Sequence, residues 1–365
     1  MKNILLVLTG GTIGSVATCG SIDTSEAAPL KLLQLFQQHY ENHRKIHFHT
    51  IQPLQILSEN LAPDAWKTII AAIETARPDH YDGIIITHGT DTLAYTACAL
   101  SFYFNAAKIP IPMLLVASDY PLAHPKANGL ANFICAVEFI LQTCPESYRR
   151  IKHDCMDAGG IATQGAVAEP GIFVPFQNQQ QITHLHQGAR LTSSLQLSGD
   201  FFSVQGKHYM QFENRQFSLL HPATQQTSTQ HVLLKAEFSE RILMIKPYPG
   251  LNYANFNLDN VDAVLHDLYH SGTACASLQW GENHSLPAFI KRCENAGIPI
   301  YLAPALKSAD AYQSTLALIE QGAEIIWNMS IEAAYVKLAL AYGNFSDKQE
   351  IIDFINRDIA EEHLE

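Results

Sequence analysis

Short apolar runs separated by amphipathic stretches set the rhythm of the first half of the chain. Ile4-Leu5-Leu6-Val7-Leu8 and Gly83-Ile84-Ile85-Ile86 are continuous apolar segments of strand length, the pattern expected of strands covered on both faces. Residues 47–51, 113–117 and 172–176 predict further strands. Between them, residues 63–77 predict a helix, with Pro63 suited to its first turn and Trp66, Ile69, Ile70 and Ile73 sharing one face. Residues 94–105 and 127–142 predict two more, buried or amphipathic. Strand–helix alternation of this kind implies βαβ units and a parallel sheet.

The rhythm is lost over 177–238, which is rich in Gln, Ser, Thr and His and contains Gln177-Asn178-Gln179-Gln180-Gln181. A hairpin or irregular region is expected at 177–205 and an interdomain connection at 206–238. A second α/β rhythm then begins, with a strand at 242–245, helices at 258–270 and 286–296, and a strand at 299–302. Helices at 311–321, 331–342 and 348–361 complete it. The expected class is α/β in two domains. Residues 1–205 carry the larger, mostly parallel sheet with flanking helices, and 239–365 form a smaller α/β domain. A chain of 365 residues suits that division.

Composition narrows the function classes. A hydrophobic content of 47% supports full cores and lacks the signature of disorder. The formal net charge of −12, with no concentrated basic stretch, argues against a nucleic-acid partner. Seven cysteines are scattered without a C-x-x-C pair, which disfavours a zinc ribbon or a thioredoxin-like motif and suits free thiols in a reducing cytosol. The first apolar run spans five residues before Thr9 and Gly10, too short for a signal-peptide core or a membrane span. A soluble, cytoplasmic protein with no membrane partner is expected.

The candidate chemistry lies in two threonines set in glycine. Thr12 sits in Thr9-Gly10-Gly11-Thr12-Ile13-Gly14 and Thr90 in Thr87-His88-Gly89-Thr90-Asp91-Thr92, each directly after an apolar strand. In an open parallel sheet ligands sit outside the carboxyl ends of the strands. Glycine lets the backbone turn sharply and aim N–H groups at an oxyanion. Thr12 reads as a nucleophile or substrate contact. The competing reading is a phosphate-binding turn, but neither the Walker string nor G-x-G-x-x-G is present. Asp91 suits a ligand ammonium or proton transfer, and Thr90 a second nucleophile or the orientation of a water. Alternatively, Asp91 only caps the helix that follows. The lone histidines His88, His124 and His266 lack a metal-ligand pattern and read as solvated or core side chains, with His124 also placed for ligand contact.

These strings, with His88-Gly89-Thr90-Asp91-Thr92-Leu93-Ala94-Tyr95-Thr96-Ala97, resemble the bacterial-type L-asparaginases, above all the cytoplasmic type I branch. The match extends to Ser58-Glu59-Asn60, Ala117-Ser118-Asp119-Tyr120-Pro121-Leu122, Tyr248-Pro249-Gly250 and Met329-Ser330-Ile331-Glu332-Ala333-Ala334. The resemblance implies a two-domain asparaginase-like fold, a homodimer or homotetramer, a small-molecule substrate and no metal or cofactor. It implies that Thr12 attacks the side-chain amide of asparagine, releasing ammonia, before water cleaves the acyl-enzyme to aspartate. Thr90 would act in a second group with Asp91 and a lysine. Ser58 would hold the substrate α-carboxylate, Asp91 its α-ammonium, and Glu59 would contact the amino group. Gly11, Gly89 and Ala117 would line the substrate site, with backbone N–H groups near Thr12 and Thr90 forming the oxyanion hole. The alternative for Ser58 and Glu59 is helix-entry capping.

The chain departs from that family in places. Leu185-His186-Gln187-Gly188-Ala189-Arg190-Leu191-Thr192-Ser193 puts Ser193 where a lysine is expected, and serine supplies no cation. Lys126 and Lys207 lie outside the motif. Residues 15–26 contain no tyrosine, and Ser21-Ile22-Asp23 fills its expected place. The 145–171 segment reads as inserted. These departures support an alternative, a catalytically impaired protein that binds a small amino acid without efficient turnover. A third option is the amidase component of a tRNA-dependent amidotransferase. The expected extra N-terminal domain is not seen ahead of the Thr12 strand, and the acidic balance disfavours tRNA.

Overall fold

Among the described residues, apolar runs between turn-forming residues build an eight-stranded and a four-stranded sheet, each within its own compact unit, and Ser15–Thr18 with Ser21–Thr24 forms a separate two-stranded sheet. The computed structural model describes residues 1–18, 21–24, 28–107, 109–142, 170–179, 181–222, 232–307 and 312–364. Described residues up to 222, with 232–236, form the first unit, and those from 237 onward form the second.

The first unit contains β1 (Lys2–Val7), β2 (Ser15–Thr18), β3 (Ser21–Thr24), α1 (Ala28–His39), β4 (Ile46–Ile51), α2 (Pro63–Thr75), β5 (Gly83–Thr87), α3 (Leu93–Ala106), β6 (Met113–Val116), α4 (Gly129–Gln142), β7 (Ile172–Gln177), β8 (Thr183–Gln187), β9 (Met210–Glu213) and β10 (Gln216–Leu219). The main sheet runs β10-β9-β8-β7-β6-β5-β1-β4. Strands β4, β1, β5, β6 and β7 are parallel, and β8 to β10 extend the sheet antiparallel. Helix α2 begins with Pro63 at its N-terminus and buries Trp66, Ile69, Ile70 and Ile73, the face read from sequence. Ile4, Leu6 and Leu8 pack with Phe36 of α1 and Phe133, Val137 and Ile140 of α4. Helix α3 is buried nearly all round, so it lacks an amphipathic stripe.

One expectation for this unit changes. The segment expected as a connection from 206 carries the β9–β10 hairpin, whose Gln216↔Glu213 pairing is closed by Asn214 and Arg215, both at positive φ. Within the region expected at 177–205 to be a hairpin or irregular, β8 folds back antiparallel on β7, although its Thr183-His184-Leu185-His186-Gln187 stretch is polar at four of five positions. It is buried nonetheless by its neighbours β7 and β9.

The second unit contains β11 (Ile242–Ile245), β12 (Ala263–Asp267), α5 (Leu286–Asn295), β13 (Ile300–Ala305), α6 (Gln313–Glu320), β14 (Glu324–Trp327), α7 (Ile331–Asn344) and α8 (Lys348–Asn356). Its sheet is parallel in the simple order β11-β12-β13-β14. The helix expected at 258–270 is instead strand β12. Val261, Val264, Leu265 and Leu268 mimic a helical stripe, but Ala263–Asp267 sits between β11 and β13 with both faces covered, where strands read as unbroken apolar runs. Strand β14 is new. Helix α8 stops at Asn356 rather than reaching 361, because Glu362 draws the tail back: it accepts from the backbone N–H groups of Ile359 and Ala360 and pairs with the buried Lys337.

Candidate active site

Taken in chain order, the parallel strands of the first sheet are arranged as second, first, third, fourth, fifth. The direction of travel across the sheet therefore reverses between β1 and β5. In open α/β sheets such a reversal opens a crevice at the carboxyl ends of the strands, and ligands bind there. Gly10–Thr12 leave β1 and His88–Asp91 leave β5 at that place. In the second sheet the strand order is monotonic, with no such reversal.

The two loops are in backbone contact. A Cβ added to Gly11 would lie 2.5 Å from the Gly89 Cα and from the His88 carbonyl carbon, and Gly11 has a φ of +74°. Both conditions demand glycine. The approach is secured one residue earlier. The Thr9 N–H donates to Thr87 Oγ1 at 3.2 Å, and the Thr9 hydroxyl donates to the Thr87 carbonyl at 2.5 Å. A third segment joins them: Ile56 N–H donates to Thr9 O and Gly11 N–H to Ile56 O, each at 3.0 Å. This carries Ser58 against Gly89, where an added Cβ would meet Ser58 Cβ at 2.7 Å.

Ser58 is buried at the start of a short turn, Ser58–Asn60. Its hydroxyl donates to Asp91 Oδ2 at 2.6 Å and accepts the Asp91 N–H at 3.2 Å, while Thr92 Oγ1 donates to the Ser58 carbonyl at 2.9 Å. Neither residue caps a helix. Helix α3 has Thr92 at its N-cap and α2 has Ala62, and no side chain caps either end. Thr12, in the turn Thr12–Gly14, and Thr90 are half-buried, and their hydroxyls make no hydrogen bond among the described residues. Asp91 and Glu59 are exposed, and Glu59 has no partner among the described residues. Ala117, buried at the end of β6, accepts from Asn132 Nδ2 at 3.0 Å.

Other residues shape the rim. Ser118 Oγ donates to the Tyr120 carbonyl at 2.5 Å and accepts the Gly129 N–H at 3.1 Å. Asp119 and Asn128 exchange backbone-to-side-chain bonds of 3.0 and 3.3 Å, tying the loop to α4. Burial holds the Asp119 carboxyl above its ordinary value. His124 stacks on Tyr120 at 4.3 Å. His88, one of the histidines read from the sequence as solvated or core side chains, is a core one. It is buried, with Nδ1 2.8 Å from the Gly89 carbonyl and Nε2 2.9 Å from Thr96 Oγ1. Burial pulls its imidazole below the ordinary histidine value.

Among the described residues no lysine is bonded to Thr90 or Asp91. Ser193 follows Thr192, which is anchored on the Phe202 carbonyl by both its N–H and its hydroxyl. Ser21-Ile22-Asp23 lies on β3, paired antiparallel with β2. The segment read as inserted, 145–171, lies almost wholly outside the described residues.

Known proteins match both the fold and the sequence. The family model for the N-terminal part of asparaginases matches residues 3–224. A component of the glutamyl-tRNA(Gln) amidotransferase of Methanobrevibacter smithii is 24% identical over 373 residues, covering all of this chain and 77% of that protein. An L-asparaginase of Thermococcus kodakarensis is 41% identical over 145 residues, 40% of this chain and 42% of the relative. The solved structure of the thermostable L-asparaginase from that organism superposes with a TM-score of 0.75 at 24% identity, covering 100% of this chain and 99% of the other. Since the matched region takes in β1 to β10 and both glycine-set threonines, this chain belongs to the asparaginase family.

Proposed function

We propose that the chain is an amidohydrolase that cleaves the side-chain amide of L-asparagine to L-aspartate and ammonia, with Thr12 as nucleophile. The observation that carries this reading is the convergence of three segments at the sheet's reversal point, with Gly11 against Gly89 and Ser58 bonded to Asp91. Thr12 Oγ bonds to the amide carbon, and its proton passes to the departing nitrogen as the C–N bond breaks. Water then adds its oxygen to that carbon, the bond from the carbon to Thr12 Oγ breaks, one water proton restores the Thr12 hydroxyl, and the other leaves the new carboxyl as aspartate forms. Backbone N–H groups beside Thr12 and Thr90 take the negative charge of each tetrahedral intermediate.

Ser58 and Asp91 recognise the amino-acid head group. In the free protein the Ser58 proton is held by Asp91. Turned outward, that hydroxyl donates to the α-carboxylate and frees Asp91 for the α-ammonium. Glu59, exposed beside Ser58, adds a second carboxylate near the amino group. Gly11, Gly89 and Ala117 supply close-packed walls. Thr90 aligns the hydrolytic water. The net charge of −12 supports a free amino acid over a tRNA-linked partner reaction, and the scattered cysteines without a C-x-x-C pair suit a cytoplasmic setting. Among the described residues no helix is long and apolar enough to cross a membrane. In the second unit Tyr248, Tyr269 and Trp280 are exposed around a cavity of about 590 Å³, which supports self-association into a homodimer or homotetramer.

A second reading is ligand binding without efficient turnover. It is favoured by the Thr12 and Thr90 hydroxyls, which have no base or cation among the described residues, and by Ser193 in place of lysine. A coupled ammonia assay with asparagine separates the two, with Thr12→Ala as the control. Asparagine-dependent ammonia that the variant lacks supports hydrolysis. Aspartate binding by calorimetry without ammonia release supports the second reading.

A further inference from the structure

The hydrogen bonds behind β5 admit only one direction. The Gly89 carbonyl is an acceptor only, so His88 Nδ1, 2.8 Å away, carries the ring proton. Nε2 of the neutral ring is then an acceptor, and the Thr96 hydroxyl at 2.9 Å donates to it. The remaining lone pairs of Thr96 accept the indole N–H of Trp66 at 3.0 Å. Trp66, Thr96 and His88 are all buried, so no water competes for these groups. The chain of donation runs from α2 through α3 to the ring, and from the ring to the peptide that joins Gly89 to Thr90.

That peptide bears on the site. In a trans peptide the C=O and N–H point in opposite directions. Drawing the Gly89 carbonyl toward the buried ring therefore turns the Thr90 N–H away from it, toward the crevice above the strand ends. The Thr90 N–H has no partner among the described residues, which leaves it free to meet a ligand oxygen. We infer that His88, oriented by Thr96 and Trp66, is a positioning residue that sets the Gly89–Thr90 peptide so that the Thr90 N–H serves as an oxyanion donor. His88 touches no substrate itself. This role rests on the hydrolytic reading for its catalytic consequence, but not for the ring geometry. A protonated ring would keep its Nδ1 donor to Gly89 O but could no longer accept from the Thr96 hydroxyl, so the Thr96 bond in this direction requires neutral imidazole.

The test uses the atoms of the ring as its variables. Asn at position 88 places an amide N–H close to the Nδ1 position, and Gln places one close to Nε2. His88→Asn keeps the donor to Gly89 O, and kcat is expected to stay within about tenfold of the parent protein. His88→Gln and His88→Leu lose that donor, and kcat is expected to fall by about 100-fold at nearly constant KM, the scale of a lost oxyanion donor. If the ring only filled space, Asn, the smallest and most cavity-forming of the three, would be the worst. That ranking would overturn the proposal. A readout independent of turnover is the imidazole ¹⁵N spectrum of histidine-labelled protein, with the His88 signals assigned from the variant. A neutral ring protonated at Nδ1 and unchanged from pH 8 to pH 5 supports the assignment. An Nε2-protonated or titrating ring overturns it, even if asparagine proves not to be cleaved. Failure of the ammonia assay alone would reject only the hydrolytic reading.

Discussion

The contact between Gly11 and the Gly89 loop makes Gly11→Ala the most informative substitution in this chain. Two penalties act together. Position 11 has a φ of +74°, where a Cβ costs about 1–2 kcal/mol. The same Cβ would stand 2.5 Å from the Gly89 Cα and the His88 carbonyl carbon, against an optimal carbon–carbon separation of about 3.5–4.0 Å. No rotamer change relieves a backbone clash, and overpacking of this kind costs about 1–3 kcal/mol. The sum is about 2–5 kcal/mol, less than the usual stability of a domain, so the variant should fold. Relief requires the loops to part by about 1 Å, and misplacement on that scale costs about 100-fold in rate. Gly199→Ala is the internal control. Its φ is +77°, but no atom lies within 4 Å of its added Cβ, so it bears the first penalty alone. Urea denaturation of both variants, with ammonia release and aspartate calorimetry, isolates the contact. If Gly11→Ala unfolds at the same midpoint as Gly199→Ala and keeps full binding and turnover, the two loops do not meet as described.

Three further outcomes are expected. In the second unit, buried His266 is held by the Tyr253 hydroxyl at Nε2 (2.8 Å) and by the Asp267 carbonyl at Nδ1 (2.5 Å), and burial takes its imidazole from 6.5 down to about 4. The unfolded chain thus binds a proton that the folded chain resists: stability is complete above pH 6.5 and falls by about 3 kcal/mol as pH drops to about 4. Buried His186 of the first unit, also lowered by burial and by its neighbours His208 and His184, adds in the same direction. Urea midpoints at pH 7, 5.5 and 4.5 should fall for the parent protein and less steeply for His266→Gln; a flat parent profile contradicts this. Lys337→Met strands Glu362, whose carboxyl burial would raise but which the Lys337 ammonium, with Asp358 and His363, brings down to about 2. The loss should be about 3–5 kcal/mol, and Lys337→Met with Glu362→Leu should recover much of it in the same denaturation assay. Ser58→Ala removes the hydroxyl bonded to Asp91 and should weaken aspartate binding by about 10- to 100-fold in calorimetry, the range for a bond to a charged group.

Much of the fold is legible in the chain because burial writes itself locally. Strand β5 is five buried residues in a row, and α2 places Trp66, Ile69, Ile70 and Ile73 on one face. The glycine-set threonines announce close backbone approach without saying to what. Where local and tertiary signals disagree, the tertiary context prevails. Residues 263–267 sit in a helix-like apolar pattern yet form a strand, because β11 and β13 flank them. The polar stretch of β8 is buried only because β7 and β9 pair with it.

Local periodicity and turn chemistry in this sequence therefore determine which segments become strands or helices and which loops carry glycine. They do not determine which loops meet. Thr9 and Thr87 are 78 positions apart, and they touch because β1 pairs with β5 in parallel register, Ile4 beside Gly83 and Val7 beside Ile86. That pairing brings Gly11 onto Gly89, Ser58 to Asp91 and the His88 ring beneath the Thr90 peptide. A residue pattern reports how one segment is buried; only strand order and register specify the distant backbone against which it is buried.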